Sequence, residues 1–141
     1  MPSTSKADGA NLESPVGQSS SGRTIVVIED LKDLADVIAL LLIGEGYKVH
    51  VATDGYTGLR LAIERNADLV LLDHLLPEMV GADVGRALRA HTHARKARIV
   101  MMSATPESDV RELFDGYDAF LKKPCPPERL LRLIAALLAE G

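Results

Sequence analysis

Four apolar runs in this chain each end in side chains able to handle a charged group: Glu29-Asp30, Asp73, Ser103 and Lys123. Strands of a parallel sheet all point one way, so the loops that follow them gather at one edge. In open α/β sheets that edge is where ligands bind. Three carboxylates, a hydroxyl and an ammonium would then converge. Crowded carboxylates raise one another's pKa unless a cation compensates. A hard divalent ion such as Mg2+ meets that need, since it takes oxygen ligands and keeps waters. A lysine at the same edge adds positive charge suited to a phosphoryl oxygen. The set describes phosphoryl transfer to a carboxylate, where positioning and charge neutralisation do most of the catalysis. Each member alone is commonplace, because an acid after a strand usually caps a turn. Their occurrence on four strand ends in this order is what carries weight.

The spacing of apolar residues shows which elements must position this set. The central stretch is Leu69-Val70-Leu71-Leu72-Asp73-His74-Leu75-Leu76-Pro77-Glu78-Met79-Val80-Gly81. An unbroken apolar run bounded by turn signals predicts a strand buried on both faces. It covers Asp68 to Leu72, with Asp73 emerging at the carboxyl end. Ile25-Val26-Val27-Ile28 predicts a second buried strand, closed by Glu29 and Asp30. Leu34, Val37, Ile38 and Leu41 recur at helical spacing and predict a helix closing near Gly44 or Gly46. Tyr47 to Ala52 predicts a strand with Val49 and Val51 on one face and His50 on the other. Leu59, Ala62 and Ile63 carry a helix after the Asp54-Gly55 turn.

Gly81 to His91 predicts a helix with Val84, Ala87 and Leu88 facing inward, and Arg98 to Met102 a strand. Pro106 suits the first position of the next helix, after a Thr105 cap. That helix is short, with Val110, Leu113 and Phe114 as its apolar side and Gly116 as its stop. Tyr117 to Leu121 predicts a fifth strand, broken by Lys122-Lys123-Pro124. Leu130, Leu133, Ile134, Leu137 and Leu138 form an i, i+3, i+4, i+7, i+8 stripe, the mark of a last helix. Five strands alternating with five helices through short connections define an α/β doubly wound parallel sheet with helices on both faces.

The bulk properties bound the function. The 141 residues suit one domain with a single core. Aromatics are only 4% and Trp is absent, so Leu, Ile, Val and Ala must fill that core. A net charge of −4 argues against direct nucleic-acid binding, which needs a basic face. No apolar run reaches the roughly 20 residues needed to span a bilayer, and the first residues lack a signal peptide's apolar segment. The single Cys125 suits a reducing compartment, and a cytoplasmic location is expected. Residues 1–22, rich in Ser, Gly, Pro and Ala, predict a disordered tail before a folded unit over 23–141.

With Glu29-Asp30, Asp73 followed by Pro77 and Gly81, Ser103-Ala104, and Phe120 followed by Lys123-Pro124, the chain resembles the receiver domains of two-component response regulators. The resemblance covers about residues 24 to 139. It implies a flavodoxin-like sheet of strand order 2-1-3-4-5, an order that the spacing itself does not supply. By the same resemblance Asp73 accepts a phosphoryl group from a phosphohistidine on a sensor histidine kinase or a histidine phosphotransferase. Asp30 and Asp73 hold Mg2+ with the backbone carbonyl of Leu75, and Glu29 reaches the ion through water. Lys123 binds a phosphoryl oxygen, and its peptide bond to Pro124 is cis. Ser103 turns inward to the phosphoryl group and Phe120 follows it, changing the surface around the fourth helix, fifth strand and fifth helix. A homodimer through that surface is a possible consequence. Phosphorylation is then a local charge event that biases a two-state element.

Several residues depart from the family pattern. His74 stands where an aliphatic residue is usual; it is either a tolerated polar substitution or a group that tunes the acyl phosphate. Leu75 and Thr105 occupy positions that modulate phosphoryl lifetime, and the apolar Leu75 predicts slow self-dephosphorylation. Phe120 lacks the hydroxyl of the more frequent Tyr. Cys125 stands in place of a large apolar residue and Val80 in place of an acid. The helix after Ser103 is about a turn short. His91-Thr92-His93, near Arg89, Arg95, Lys96 and Arg98, predicts a solvated basic patch.

Three function classes compete. The first is a phosphorylation switch, not an enzyme, that acts on a downstream protein; no output domain follows the last helix in this sequence. The second is a Mg2+-dependent phosphatase of the haloacid dehalogenase type. That class needs Asp-x-Asp on the first strand, where this chain has Ile28-Glu29-Asp30-Leu31. The third is a receiver-like scaffold that accepts no phosphate, which the complete set of site residues disfavours.

Overall fold

The computed structural model describes residues 22–140. The tail expected over 1–22 lies, apart from Gly22, outside the described residues. Elements alternate strictly: β1 (Thr24–Ile28), α1 (Lys32–Gly44), β2 (Lys48–Ala52), α2 (Gly55–Glu64), β3 (Leu69–Asp73), α3 (Gly81–Ala90), β4 (Arg98–Ser103), α4 (Glu107–Leu113), β5 (Ala119–Lys122) and α5 (Pro127–Glu140). The strands form one parallel sheet in the order β2-β1-β3-β4-β5. This is the doubly wound, flavodoxin-like fold expected, with β3 at the centre.

Burial follows from that order. Leu69, Val70, Leu71 and Leu72 are wholly buried because layers of helices cover both faces of β3. One core holds Ile25, Val27, Leu69, Leu71, Val100 and Met102 against α1 and α5 residues such as Ile38, Leu42, Leu130 and Ile134. The other holds Val26, Ile28, Val70, Leu72, Ile99 and Met101 against Ala62 of α2 and Val84 and Leu88 of α3. Alternate residues of each strand serve opposite cores, as the pleat requires. Among the described residues no helix is long and apolar enough to cross a membrane.

Local signals behave as their chemistry dictates. Asp54 caps α2, its carboxylate accepting from the Thr57 amide at 2.8 Å. Gly46, at φ 97°, turns the chain out of α1 as the glycine pair suggested. Three expectations need correction. The α1 stripe is displaced: Ala35, Ile38, Ala39 and Leu42 face the core, and Val37 is 53% exposed. Small Ala residues take the close approach to the sheet, which a count of large aliphatics overlooks. Thr105 does not cap α4. Pro106 holds that position with extended backbone, and the Thr105 amide is drawn back to Ser103 Oγ at 2.9 Å.

The third correction concerns the end of α4, which stops at Leu113, ahead of Gly116. Phe114 turns to extended backbone and sends its ring toward α3, where Gly85 leaves room. Only Val110 of α4 is buried, and Leu113 is exposed. The helix has 7 residues. Its buried anchors are Val110 within it and the Phe114 ring just beyond its end.

Candidate functional site

The sheet brings the sequence-predicted residues to one edge. Glu29 and Asp30 follow β1, Asp73 ends β3, Ser103 ends β4, and Lys123 follows β5. Carboxylate oxygens of Glu29, Asp30 and Asp73 lie within 4.8 Å of one another. Glu29 is fully buried, Asp73 is buried and Asp30 is exposed, so the cluster opens to solvent on the Asp30 side. The Lys123 Nζ stands 2.7 Å from Glu29 Oε1 and 3.3 Å from Asp73 Oδ2. The Lys123–Pro124 peptide bond is cis.

Backbone contacts fix this geometry. Glu29 is anchored by its own amide, which donates to the Ala52 carbonyl at 3.0 Å, while its Oε2 accepts from the Leu31 amide. Asp73 Oδ1 accepts weakly from the Leu75 amide at 3.4 Å. The Ser103 carbonyl accepts from the Lys123 amide at 3.0 Å, tying the ends of β4 and β5 together. After Asp73 the chain turns sharply: Glu78 sits at φ 65°, and the Gly81 amide donates to the His74 carbonyl at 2.6 Å. A Cβ on Gly81 would lie 2.5 Å from the Asp73 carbonyl oxygen, which explains the glycine physically.

The charges are unequal in standing. Burial and the neighbouring Glu29 push the Asp73 carboxyl up to about 6, and Lys123 offsets only part of this. Burial works against ionised Glu29 too, but hydrogen bonds from Lys123 and the Leu31 amide hold its carboxyl below the usual range. Burial likewise opposes charge on Lys123, yet Glu29 and Asp73 together raise its ammonium above the ordinary value. One lysine therefore stands among three carboxylates. A hard cation held by oxygen ligands would relieve the remaining repulsion, so the donor set fits Mg2+.

Neighbouring residues complete the picture. Ser103 is buried, and its Oγ accepts from the Thr105 amide. Leu75 is 59% exposed beside the cluster. Phe120 is half-buried at the edge of the α2–α3 core, its ring 5.9 Å from that of Tyr117. His74 is buried with Nδ1 lacking any hydrogen-bond partner among the described residues, and burial lowers its pKa. Cys125 is partly buried against the α1–α5 core.

Some features escaped sequence reading. Tyr117 Oη donates to Glu107 Oε2 at 2.8 Å, and Arg111 bonds both, closing a ring of contacts over α4. Arg89 is not part of a solvated patch. Its guanidinium donates to the carbonyls of Gly116, Arg95 and Ala97 and pairs with Asp118 at 2.9 Å. Lysines and arginines carry no spacing signal for such contacts, which depend on loops from distant sequence.

The comparisons agree with this geometry. The chain belongs to the response regulator receiver domains: the model of that family, the response regulator receiver domain, matches residues 25–135. Members act in phosphorylation-based two-component signalling. The chain is 36% identical over 121 residues to the sensory transduction protein RegX3 of Mycobacterium tuberculosis, covering 84% of this chain and 52% of that protein. It is 38% identical over 119 residues to the DNA-binding response regulator MtrA of the same organism, covering 83% and 51%. The chain thus spans about half the length of these relatives.

Among solved structures, a CheY-like receiver domain protein of Methanospirillum hungatei aligns with TM-score 0.75 at 29% identity, covering 84% of this chain and 94% of that one. The receiver domain of a sensor histidine kinase from Pseudomonas aeruginosa aligns with TM-score 0.77 at 29% identity, covering 84% and 99%. That structure holds a magnesium ion coordinated in the active site cleft.

Proposed function

We propose that Asp73 accepts a phosphoryl group from a phosphohistidine on a sensor histidine kinase or histidine phosphotransferase, and that the modified domain acts on a downstream protein partner. The observation that carries this is the Asp73 carboxylate, buried beside Glu29 and 3.3 Å from Lys123, at the end of the central strand. A pKa pushed up to about 6 leaves Asp73 ionised at neutral pH but poorly stabilised, a reactive oxygen nucleophile. Its oxygen bonds to phosphorus as the phosphorus–nitrogen bond of the donor breaks. Lys123 then holds a phosphoryl oxygen in place of its contact with Asp73.

Asp30, Asp73 and the Leu75 carbonyl are the residues that would hold Mg2+, with Glu29 acting through water. When bound, the ion supplies charge neutralisation for the incoming phosphoryl oxygens. Ser103 turns to donate its hydroxyl to a phosphoryl oxygen, and Phe120 moves inward beside Tyr117. That motion alters the surface formed by α4, β5 and α5, through which the domain meets its partner or a second copy of itself. The protein catalyses only its own phosphorylation and dephosphorylation.

The test is intact mass after incubation with Mg2+ and acetyl phosphate. Wild type should gain one phosphoryl group, and Asp73→Asn should gain none. Turnover of the donor without any labelled protein would instead favour a phosphatase. Labelling of Asp73→Asn to the wild-type extent would remove Asp73 from the role.

A further inference from the structure

The opposite edge of the sheet carries a second charged site, of the other sign. A cleft of about 210 Å3 opens there, lined by Arg23, His93, Lys96 and Arg98, with Asn66 and Asp68 beside them. Arg23 immediately precedes β1 and Arg98 begins β4, so the start of each strand fixes its backbone. Asp68 binds the floor together. Its Oδ2 accepts from the Thr24 amide at 2.8 Å, its amide donates to the Thr24 carbonyl, and its carbonyl accepts from the Arg98 amide. The apolar wall comes from α5, through Leu137 and Leu138.

Among the described residues the cleft is lined by three permanent cations, Arg23, Lys96 and Arg98, and one carboxylate, Asp68, in a chain of net charge −4. Several cations elsewhere are held in ion pairs: Lys32 pairs with Asp36, Arg60 with Glu64, Arg86 with Asp83, and Arg89 with Asp118. Arg98 also reaches Asp118, at 3.4 Å. Arg23 and Lys96 have no ion pair among the described residues, and they converge on the cleft. Helix C-termini lie at this same edge and carry partial negative charge. Arg65 is the C-cap residue of α2, and Arg89 lies on the last turn of α3. Arg23, His93 and Lys96 lie outside the helices and line the cleft.

We propose that this cleft binds a small polyanion of the oligophosphate class. Its volume falls below the roughly 300 Å3 at which pockets for drug-sized ligands begin. A compact anion fits such a space, whereas a peptide or nucleic-acid strand needs an open groove. Arginine presents a planar fork of donors and lysine a movable one, a combination suited to several phosphoryl oxygens in a small volume. Asn66 adds a neutral donor at the rim. The site lies across the sheet from Asp73, so occupancy does not compete with phosphorylation.

Calorimetric titration of the full chain with tripolyphosphate, without Mg2+ and at fixed ionic strength, tests this. Saturable binding at one site is expected, weakened about tenfold or more in Arg23→Gln/Lys96→Gln. Asp73→Asn should bind as wild type does. A melting temperature for the double variant, matching wild type in the absence of ligand, confirms that its fold is intact. Equal binding by the double variant overturns the site, as does loss of binding in Asp73→Asn. Citrate binding as tightly as tripolyphosphate overturns the phosphate class, and an oligoglutamate peptide binding more tightly makes the surface a protein docking site instead.

Discussion

A methyl group on Gly81 would sit 2.5 Å from the carbonyl oxygen of Asp73, closer than any relaxed structure permits. The first residue of α3 therefore packs directly on the backbone of the central site residue. An alanine in a helix is ordinarily about 1 kcal/mol better than glycine. Here the neighbour is backbone, held by the Gly81–His74 hydrogen bond, and cannot swing aside. Overpacking of this kind costs about 1–3 kcal/mol. Gly81→Ala should lower the urea midpoint and slow labelling by acetyl phosphate. A midpoint equal to or above wild type would show that the loop yields.

The crowding of Asp73 by Glu29 has a consequence for stability. The folded Asp73 carboxyl, at about 6, lies above its unfolded value near 3.9. The native state then binds the extra proton between these values. This contribution is fully present below about pH 4 and is lost as pH rises through 6. Asp73→Asn removes the loss, so without metal the variant should be more stable than wild type at pH 8, by about 1–3 kcal/mol. The difference should shrink toward pH 4. Adding Mg2+ should raise the wild-type melting temperature and leave the variant nearly unchanged. Urea melts at both pH values, with chelator and with Mg2+, check this. A variant less stable than wild type at pH 8 would mean that Lys123 already neutralises the pair.

The site and fold were legible in sequence to different degrees, for reasons visible in particular residues. Leu69 to Leu72 betrayed β3 because burial on both faces leaves no room for polar alternation. The strand ends then placed Glu29, Asp30, Asp73, Ser103 and Lys123 together without any need for exact boundaries. The inner face of α1 departs from the stripe of large aliphatics at Val37, because Ala35 and Ala39 are buried there and alanine contributes little to a hydrophobic count. The end of α4 falls ahead of Gly116 because Phe114 answers to Gly85, 29 positions earlier in sequence. Such a contact leaves no local periodicity. Strand order also needed the resemblance, since alternating elements alone do not say where the sheet doubles back.

Tyr117 supplies, three residues ahead of Phe120, a hydroxyl that Phe120 lacks. It donates to Glu107 at the start of α4 and accepts from Arg111 one turn later. These contacts span a helix whose single buried residue is Val110. Tyr117→Phe should leave the melting temperature almost unaltered, since the partners are solvent-exposed. Amide exchange across residues 107–113 should speed up severalfold, because local opening loses its restraint while global unfolding does not. Hydrogen exchange read by mass spectrometry distinguishes the two. Unchanged exchange in α4 would assign the helix's order to Phe114 alone.

His74 places an imidazole where Nδ1 has no hydrogen-bond partner among the described residues. An unsatisfied buried polar atom costs about 1–3 kcal/mol, and burial also lowers the pKa of the ring below 6.5. The unfolded chain therefore takes up a proton at higher pH than the folded one does. This contribution to stability is fully present above about pH 7. It diminishes as pH falls through the unfolded value and stops falling once the folded ring is itself protonated. Replacing the ring by Leu removes both penalties at similar volume. His74→Leu should thus be more stable than wild type at pH 8, by roughly 1 kcal/mol, and its advantage should widen toward pH 5. Urea melts of both proteins with chelator present, across that range, give the difference directly. An advantage that stays constant with pH would mean that the ring titrates as it does in water, and a less stable variant would mean that Nδ1 finds a bound water to satisfy it.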